Sequence, residues 1–203
     1  ALRLAEAREA ARLLGAEHHP PVARDLEVLY ETRLIRAITA VVRAARPRIV
    51  LTQSLEDYME DHMTTARATV TAAFSRGMRN YTSDPPVPAS NWDLALYHAT
   101  PHTLRDMMRR PIVPELFVDI GPVMERKTAL LACHRSQKEW LDRTQGFDSY
   151  LATMRELGRE LGRLSGCCEY AEGWRRRQHW GFCGPTDDPL ATALADCILP
   201  GKI

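Results

Sequence analysis

Between Glu31 and Arg46 five apolar side chains, Leu34, Ile35, Ile38, Val41 and Val42, recur at the spacing of one helix face, and Pro47 stops the helix. Arg33, Arg36 and Arg43 lie off that stripe. After Arg48 comes a short apolar run, Ile49 to Thr52. A helix that hands over to a buried strand within so few residues constrains the fold strongly. The strand enters a sheet covered by helices, and such sheets are mostly parallel. The next residues, Gln53 to His62, form an acidic loop that delivers Asp57, Asp61 and His62 to the start of a second helix. In open α/β sheets ligands bind just past the carboxyl ends of the strands. A histidine beside two carboxylates there is a candidate metal or acid/base site. The alternative is an acidic helix start, with Asp61 as N-cap and His62 following it.

The remaining segments extend this pattern. Residues 1–15 read as a helix with Leu4, Ala7, Ala11 and Leu14 on one face and Gly15 as its stop. His18 and His19, beside two prolines, belong to a solvated loop over 17–24. A helix over 62–79 turns Ala66, Val70, Ala73 and Phe74 inward, and a proline-rich surface loop covers 84–90. Strands are expected over 93–99, with His98 near the end and His102 just after, and over 116–120; between them 104–110 is a short helix or loop. Pro122 opens a helix running to about Trp140, with Val123, Lys127, Leu130, Leu131 and His134 on a common face. Asp148 or Ser149 caps another helix to Leu164, and Gly166 stops it. The run Trp174, Arg175, Arg176, Arg177, His179, Trp180 is read as a solvated face whose long stems pack on aromatics. A platform for phosphate or a nucleic-acid strand is the rival reading. The tail after Gly184 is expected to be irregular.

Several function classes fall away. A net charge of +1 over 203 residues gives no bulk attraction to nucleic acid or to a membrane surface. No apolar run approaches the ~20 residues that span a bilayer, and no signal peptide opens the chain. The five cysteines are odd in number, and adjacent Cys167 and Cys168 do not make a zinc-ribbon spacing. Reduced thiols in a cytoplasmic protein follow. Without a Gly-x-Gly-x-x-Gly run the chain is not a dinucleotide-binding domain. Residues 1–203 are read as one α/β domain, with about 176–203 as an irregular C-terminal extension.

Four stretches carry a family resemblance. They are Arg3-x-x-Glu6 with Leu14-Gly15; Arg46-Pro47-Arg48-Ile49-Val50-Leu51-Thr52; Asp57-Tyr58-Met59-Glu60-Asp61-His62; and Val118-Asp119-Ile120 followed by Lys127, Ala132, His134, Ser136 and Gln137. The pair Ala171-Glu172 fits as well. In this order they resemble the PIG-L/LmbE-like deacetylases. The resemblance implies a Rossmann-like three-layer sandwich with a mostly parallel sheet. It also implies a zinc-dependent hydrolase that removes an acetyl group from an N-acetylated amino sugar or glycoconjugate. The partner is then a small amino-sugar substrate, and a homo-oligomer is allowed. His62 matches the last metal ligand of the family, and Asp61 the acidic residue that orients its catalytic histidine. Arg3 matches a substrate-gripping arginine and Asp25, loosely, a sugar-binding aspartate. His134 and Gln137 match family positions that serve structure as readily as catalysis.

Two departures bear on activity. The family's Ala-His-Pro-Asp-Asp-Glu motif, which there precedes the helix matched at residue 1, does not occur in these 203 residues, so they are expected to lack the first strand and its catalytic loop and to hold an incomplete zinc site. These 203 residues alone are therefore expected to be inactive. Met59 stands where the family has a histidine, leaving Tyr58, His98 or His134 to supply the donor. The rival function is a non-catalytic paralogue that binds or assembles.

Overall fold

The computed structural model describes residues 2–145 and 149–199. They fall into two compact units, one of residues 2–20 with 118–172, the other of residues 21–117 with 173–199. The α/β class read from sequence is what the chain adopts: an open five-stranded sheet flanked by helices, in the strand order β1-β2-β4-β3-β5. The strands are β1 (Ile49–Thr52), β2 (Ala95–Ala99), β3 (Leu116–Asp119), β4 (Ala171–Arg176) and β5 (Ile198–Leu199). β1 and β2 are parallel, with Ile49 opposite Ala95 and Thr52 opposite His98. β4 runs antiparallel to β2, with His98 opposite Arg175. It also opposes β3, since the amide of Glu115 donates to the Trp174 carbonyl and that of Ile120 to the Tyr170 carbonyl. The sheet is therefore mixed, and the run read as a solvated Arg/Trp face is in part a strand. No helix among the described residues is long and apolar enough to cross a membrane.

In the larger unit α2 (Thr32–Ala45) packs on α3 (Glu60–Phe74). Leu34 and Ile35 meet Ala68 and Ala72, whose methyl groups let the two helices approach closely. Ala66 and Ala73 are buried as expected, but Phe74 is half-exposed and packs edge-on against Phe182. A second cluster joins Ala73 to Leu94, Leu96 and Phe182.

Arg43, read as lying off the apolar stripe, is buried. Its guanidinium donates to the carbonyls of Ser75, Arg76, Met78, Tyr81 and Val87 at 2.9–3.0 Å. These carbonyls belong to the 3-10 turn Ser75–Gly77, which follows directly on α3, and to the loop beyond it. Helix carboxyl ends leave such groups unpaired, and Arg43 satisfies them in place of a glycine cap. Arg76 repeats the device, donating to Ala73, Trp92, Gly181 and Phe182 and lying 5.6 Å from the Trp92 ring centroid.

The described part of the tail, to residue 199, holds a short helix and a short strand rather than being irregular throughout. Asp188 caps α7 (Pro189–Ala193) by accepting from the Ala191 amide at 3.0 Å, and Pro189 holds the first turn. The buried Tyr97 hydroxyl donates to the same carboxylate at 2.6 Å, which ties α7 to β2.

In the smaller unit α1 (Leu2–Leu14) ends at Gly15, whose φ of 75° is the left-handed stop expected of it. Leu4, Ala7 and Ala11 are half-buried, but Leu14 is exposed. The helix expected from Pro122 to Trp140 is broken. A 3-10 turn (Gly121–Val123) leads into α4 (Met124–Ala132), and α5 (Arg135–Gln145) starts afresh. The restart has a cause on α1: the Glu6 carboxylate accepts from the Ser136 amide at 2.9 Å and from its hydroxyl at 2.6 Å, capping the first turn of α5. α6 (Ser149–Ser165) follows, stopped by Gly166 with φ 70°. Asp148, one of its two candidate caps, lies outside the described residues.

Candidate active site

α3 begins at Glu60, with Met59 as the extended N-cap residue, so Asp61 sits in the first helical turn rather than at the cap. The chain between β1 and α3 is shaped by Asp57, which is 3% exposed. Its Oδ1 accepts from the Met59 amide at 3.0 Å, closing an Asx turn. The same oxygen lies 3.0 Å from His62 Nδ1. A carboxylate can only accept, so Nδ1 carries a proton, and in the neutral ring Nε2 then carries the lone pair. About a third of the His62 side chain is exposed. An imidazole held by a carboxylate behind it, with its far nitrogen basic, is what a metal-bound or proton-accepting histidine needs. The edge of the exposed Tyr58 ring meets His62 at 5.9 Å between centroids, and the His102 ring lies 6.3 Å from that of Tyr58.

Asp61 faces elsewhere. Its Oδ2 accepts from the Leu26 amide at 2.6 Å. Leu26 has φ 62°, a conformation that costs a side-chain-bearing residue energy, and the Asp61 bond holds it there. The exposed Asp25 is the preceding residue, so Asp61 fixes the loop that presents Asp25. His98 is 4% exposed at the end of β2. Its Nδ1 bonds the Gln53 carbonyl at 2.9 Å, which anchors the start of the Asp57 loop. Burial lowers the His98 pKa, helped by Arg177 and Arg175 and opposed by the Gln53 bond.

Asp57, Tyr58 and His62 are therefore brought together, Asp61 and Asp25 are joined through Leu26, and His98 touches the same loop. Arg3 is an exposed residue of α1 in the smaller unit. That unit also pairs the motif residues Lys127 and Glu172 in an ion pair. With Glu6 and Ser136, four of the residues that carry the family resemblance prove to be bonded to one another. Sequence reasoning placed Asp57 among the carboxylates beside His62 but did not foresee that it shapes the loop, although its position two before Met59 is the Asx-turn signal. For Arg175 and Arg177 it preferred a solvated face and kept phosphate or nucleic-acid binding as the rival reading. Among the described residues no group of three or more His, Cys, Asp or Glu side chains is arranged to hold a metal ion.

Comparison with known proteins bears on the family of the first part of the chain and on the fold. Residues 1–73 match the PIG-L family, described as GlcNAc-PI de-N-acetylase. The fold is shared with GalB, the 4-carboxy-2-hydroxymuconate hydratase from Pseudomonas putida, at a TM-score of 0.66 and 23% identity, over 92% of this chain and 74% of that one. It is shared with the conserved protein TT1542 from Thermus thermophilus at 0.63 and 23%, over 88% and 74%. It is shared too with the N,N'-diacetylchitobiose deacetylase from Pyrococcus horikoshii at 0.67 and 22%, over 93% and 68%.

Proposed function

We propose that this chain, PIG-L-like over its first 73 residues and in its fold, serves a zinc-dependent hydrolase that removes the acetyl group from an N-acetylated amino sugar or glycoconjugate. The observation that carries this reading is the pair of buried Asp57 and His62, which leaves the Nε2 lone pair of His62 available as a ligand. A hydrolytic zinc needs about three protein ligands and an open position. The described residues contribute one, so they do not fit a complete zinc site.

The residues present have separate tasks. Asp57 fixes the tautomer and direction of His62. Tyr58, beside that ring, supplies a hydrogen bond to the oxygen of the acetyl carbonyl as charge builds on it, a task the Met59 thioether cannot perform. Asp61 holds the turn at Leu26 from which Asp25 meets sugar hydroxyls.

Acetate release from N-acetylated amino sugars, measured together with zinc content on the full-length protein, tests the proposal. His62→Ala is expected to lose zinc and about 100-fold or more in kcat/KM, and Asp57→Asn about 10–100-fold, with the fold intact by circular dichroism. Unchanged turnover in His62→Ala would overturn it. Full-length protein without zinc and without acetate release favours the second reading, a binding or assembly paralogue, for which Met59 in place of a histidine is the specific observation.

A further inference from the structure

A cavity of about 370 Å³ in the larger unit is walled by His98, Arg175, Arg177, Glu56, Glu115 and Leu55. The antiparallel pairing of β2 and β4 sets His98 opposite Arg175, so both side chains leave the same face of the sheet. His98 donates from Nδ1 to Gln53, which leaves a lone pair on Nε2, and that atom is buried without a hydrogen-bond partner. Arg175 donates from Nη1 to Glu56 at 3.1 Å and from Nη2 to the Ser54 hydroxyl at 3.2 Å. Its Nε–H is buried and also without a partner. Arg177 is held by its main chain, through the amide bond to the Leu96 carbonyl at 2.8 Å. No partner to its guanidinium is found among the described residues.

The other charges of the wall are engaged. Glu56 accepts from Arg175, and Glu115 accepts from the Arg176 amide at 3.3 Å. The Arg176 guanidinium reaches the Asp187 carbonyl and the Asp188 carboxylate. What remains is the Arg175 Nε–H and the Arg177 guanidinium lining the same cavity as one basic nitrogen. Buried polar atoms seldom go unpaired, so this set describes the complement of a ligand.

That ligand must accept from several N–H groups and donate one hydrogen to a neutral imidazole. A carboxylate or a sulfate accepts but carries no proton near neutral pH. A phosphate group does both, because its second proton leaves only near pH 6 and the monoanion keeps a P–OH. We propose that this cavity is a phosphate-binding site for phosphate monoesters, in which Arg175 Nε and Arg177 hold the anionic oxygens and His98 Nε2 shares the phosphate's proton. Burial and the two arginines, which keep His98 neutral, suit it to that role. The site is independent of the hydrolase reading, since binding alone reports on it.

Isothermal titration with inorganic phosphate, a hexose 6-phosphate and sulfate, each in two buffers of different ionisation enthalpy, provides the test. Both phosphates should bind at least about tenfold tighter than sulfate, the worth of one hydrogen bond to a charged group. At pH 7.5 their binding should draw up to one proton from the buffer, and affinity should fall about tenfold per pH unit above that. His98→Phe, similar in bulk but without the lone pair, should erase the preference over sulfate and the proton uptake. Arg177→Met should weaken all three anions alike, and does not depend on a buried replacement folding. Equal affinity for sulfate and phosphate, or binding of inorganic phosphate but not of the hexose phosphate, overturns the proposal. So does no binding up to about 10 mM, as when a water molecule satisfies both buried atoms.

Discussion

His98 shows how one residue ties the sheet to the candidate site and makes both sensitive to acid. It is buried, bonded through Nδ1 to Gln53, and faced by Arg175 and Arg177, with Glu56 and Glu115 already engaged by arginine groups. Its folded pKa lies below the ordinary value of about 6.5, chiefly through burial. Between the folded and unfolded values the unfolded chain binds more protons than the folded one. The contribution of His98 is therefore fully present above pH 6.5 or so and is lost as pH falls through that window. Urea midpoints in phosphate-free buffer should drop between pH 7 and 5, and His98→Phe should show a shallower slope than the wild type. Equal slopes would mean that His98 is not held neutral. The position of His98 near a strand end was readable from sequence, but its burial was not. Arg43 is the stronger case. At helical spacing it falls outside the apolar stripe, and no pattern within α2 reveals that five carbonyls from another segment converge on it. Long-range polar satisfaction leaves no periodic trace in a sequence.

Among the elements, α2 and α1 were legible because each combines an apolar period with a sharp stop at Pro47 or Gly15, and β1 because its apolar run follows almost directly on Pro47. The break between α4 and α5 was not, because its cause, the Glu6 carboxylate, lies 130 residues away in sequence. β4 was hidden by two arginines and a tryptophan that carry no clean alternation. α7 had a readable signal in Asp188-Pro189, a cap followed by a first-turn proline, outweighed by the prolines around it. α6 gives a sharper test of packing. A Cβ added at Gly162 would lie 2.3 Å from the Glu169 carbonyl oxygen, a backbone atom that cannot swing aside. At Gly158 the nearest atom is the flexible end of Met124, 3.3 Å away. Alanine raises helix propensity by about 1 kcal/mol over glycine at either place. Gly158→Ala should therefore be neutral or stabilising, and Gly162→Ala destabilising by about 1–3 kcal/mol net, as overpacking outweighs propensity. Chemical denaturation of the two variants decides it; equal effects would mean that α6 does not sit against Glu169.

At the scale of the whole molecule, charge and exposed surface pull in one direction. The 27 Lys and Arg nearly cancel the 26 Asp and Glu, and the isoelectric point falls near 7.9. Close to that pH there is little net repulsion between copies. The larger unit meanwhile exposes Leu26, Leu29, Tyr30, Leu51, Leu55 and Tyr58, all within residues 26–58. Single exposed leucines are ordinary, but several from one short stretch of chain are the kind of surface that associates. Self-association should therefore be strongest near pH 7.9 and weaken towards pH 6, where the net charge lies further above zero. Sedimentation velocity across that range gives the measurement. Added salt separates the causes: it should leave association near pH 7.9 largely intact, because apolar contact is not screened, and should restore it at pH 6 by screening the repulsion between copies. Leu26→Ser combined with Leu29→Ser should lower association at pH 7.9 without changing the charge. If the double variant associates as the wild type does, the apolar side chains of residues 26–58 are not the surface through which copies meet.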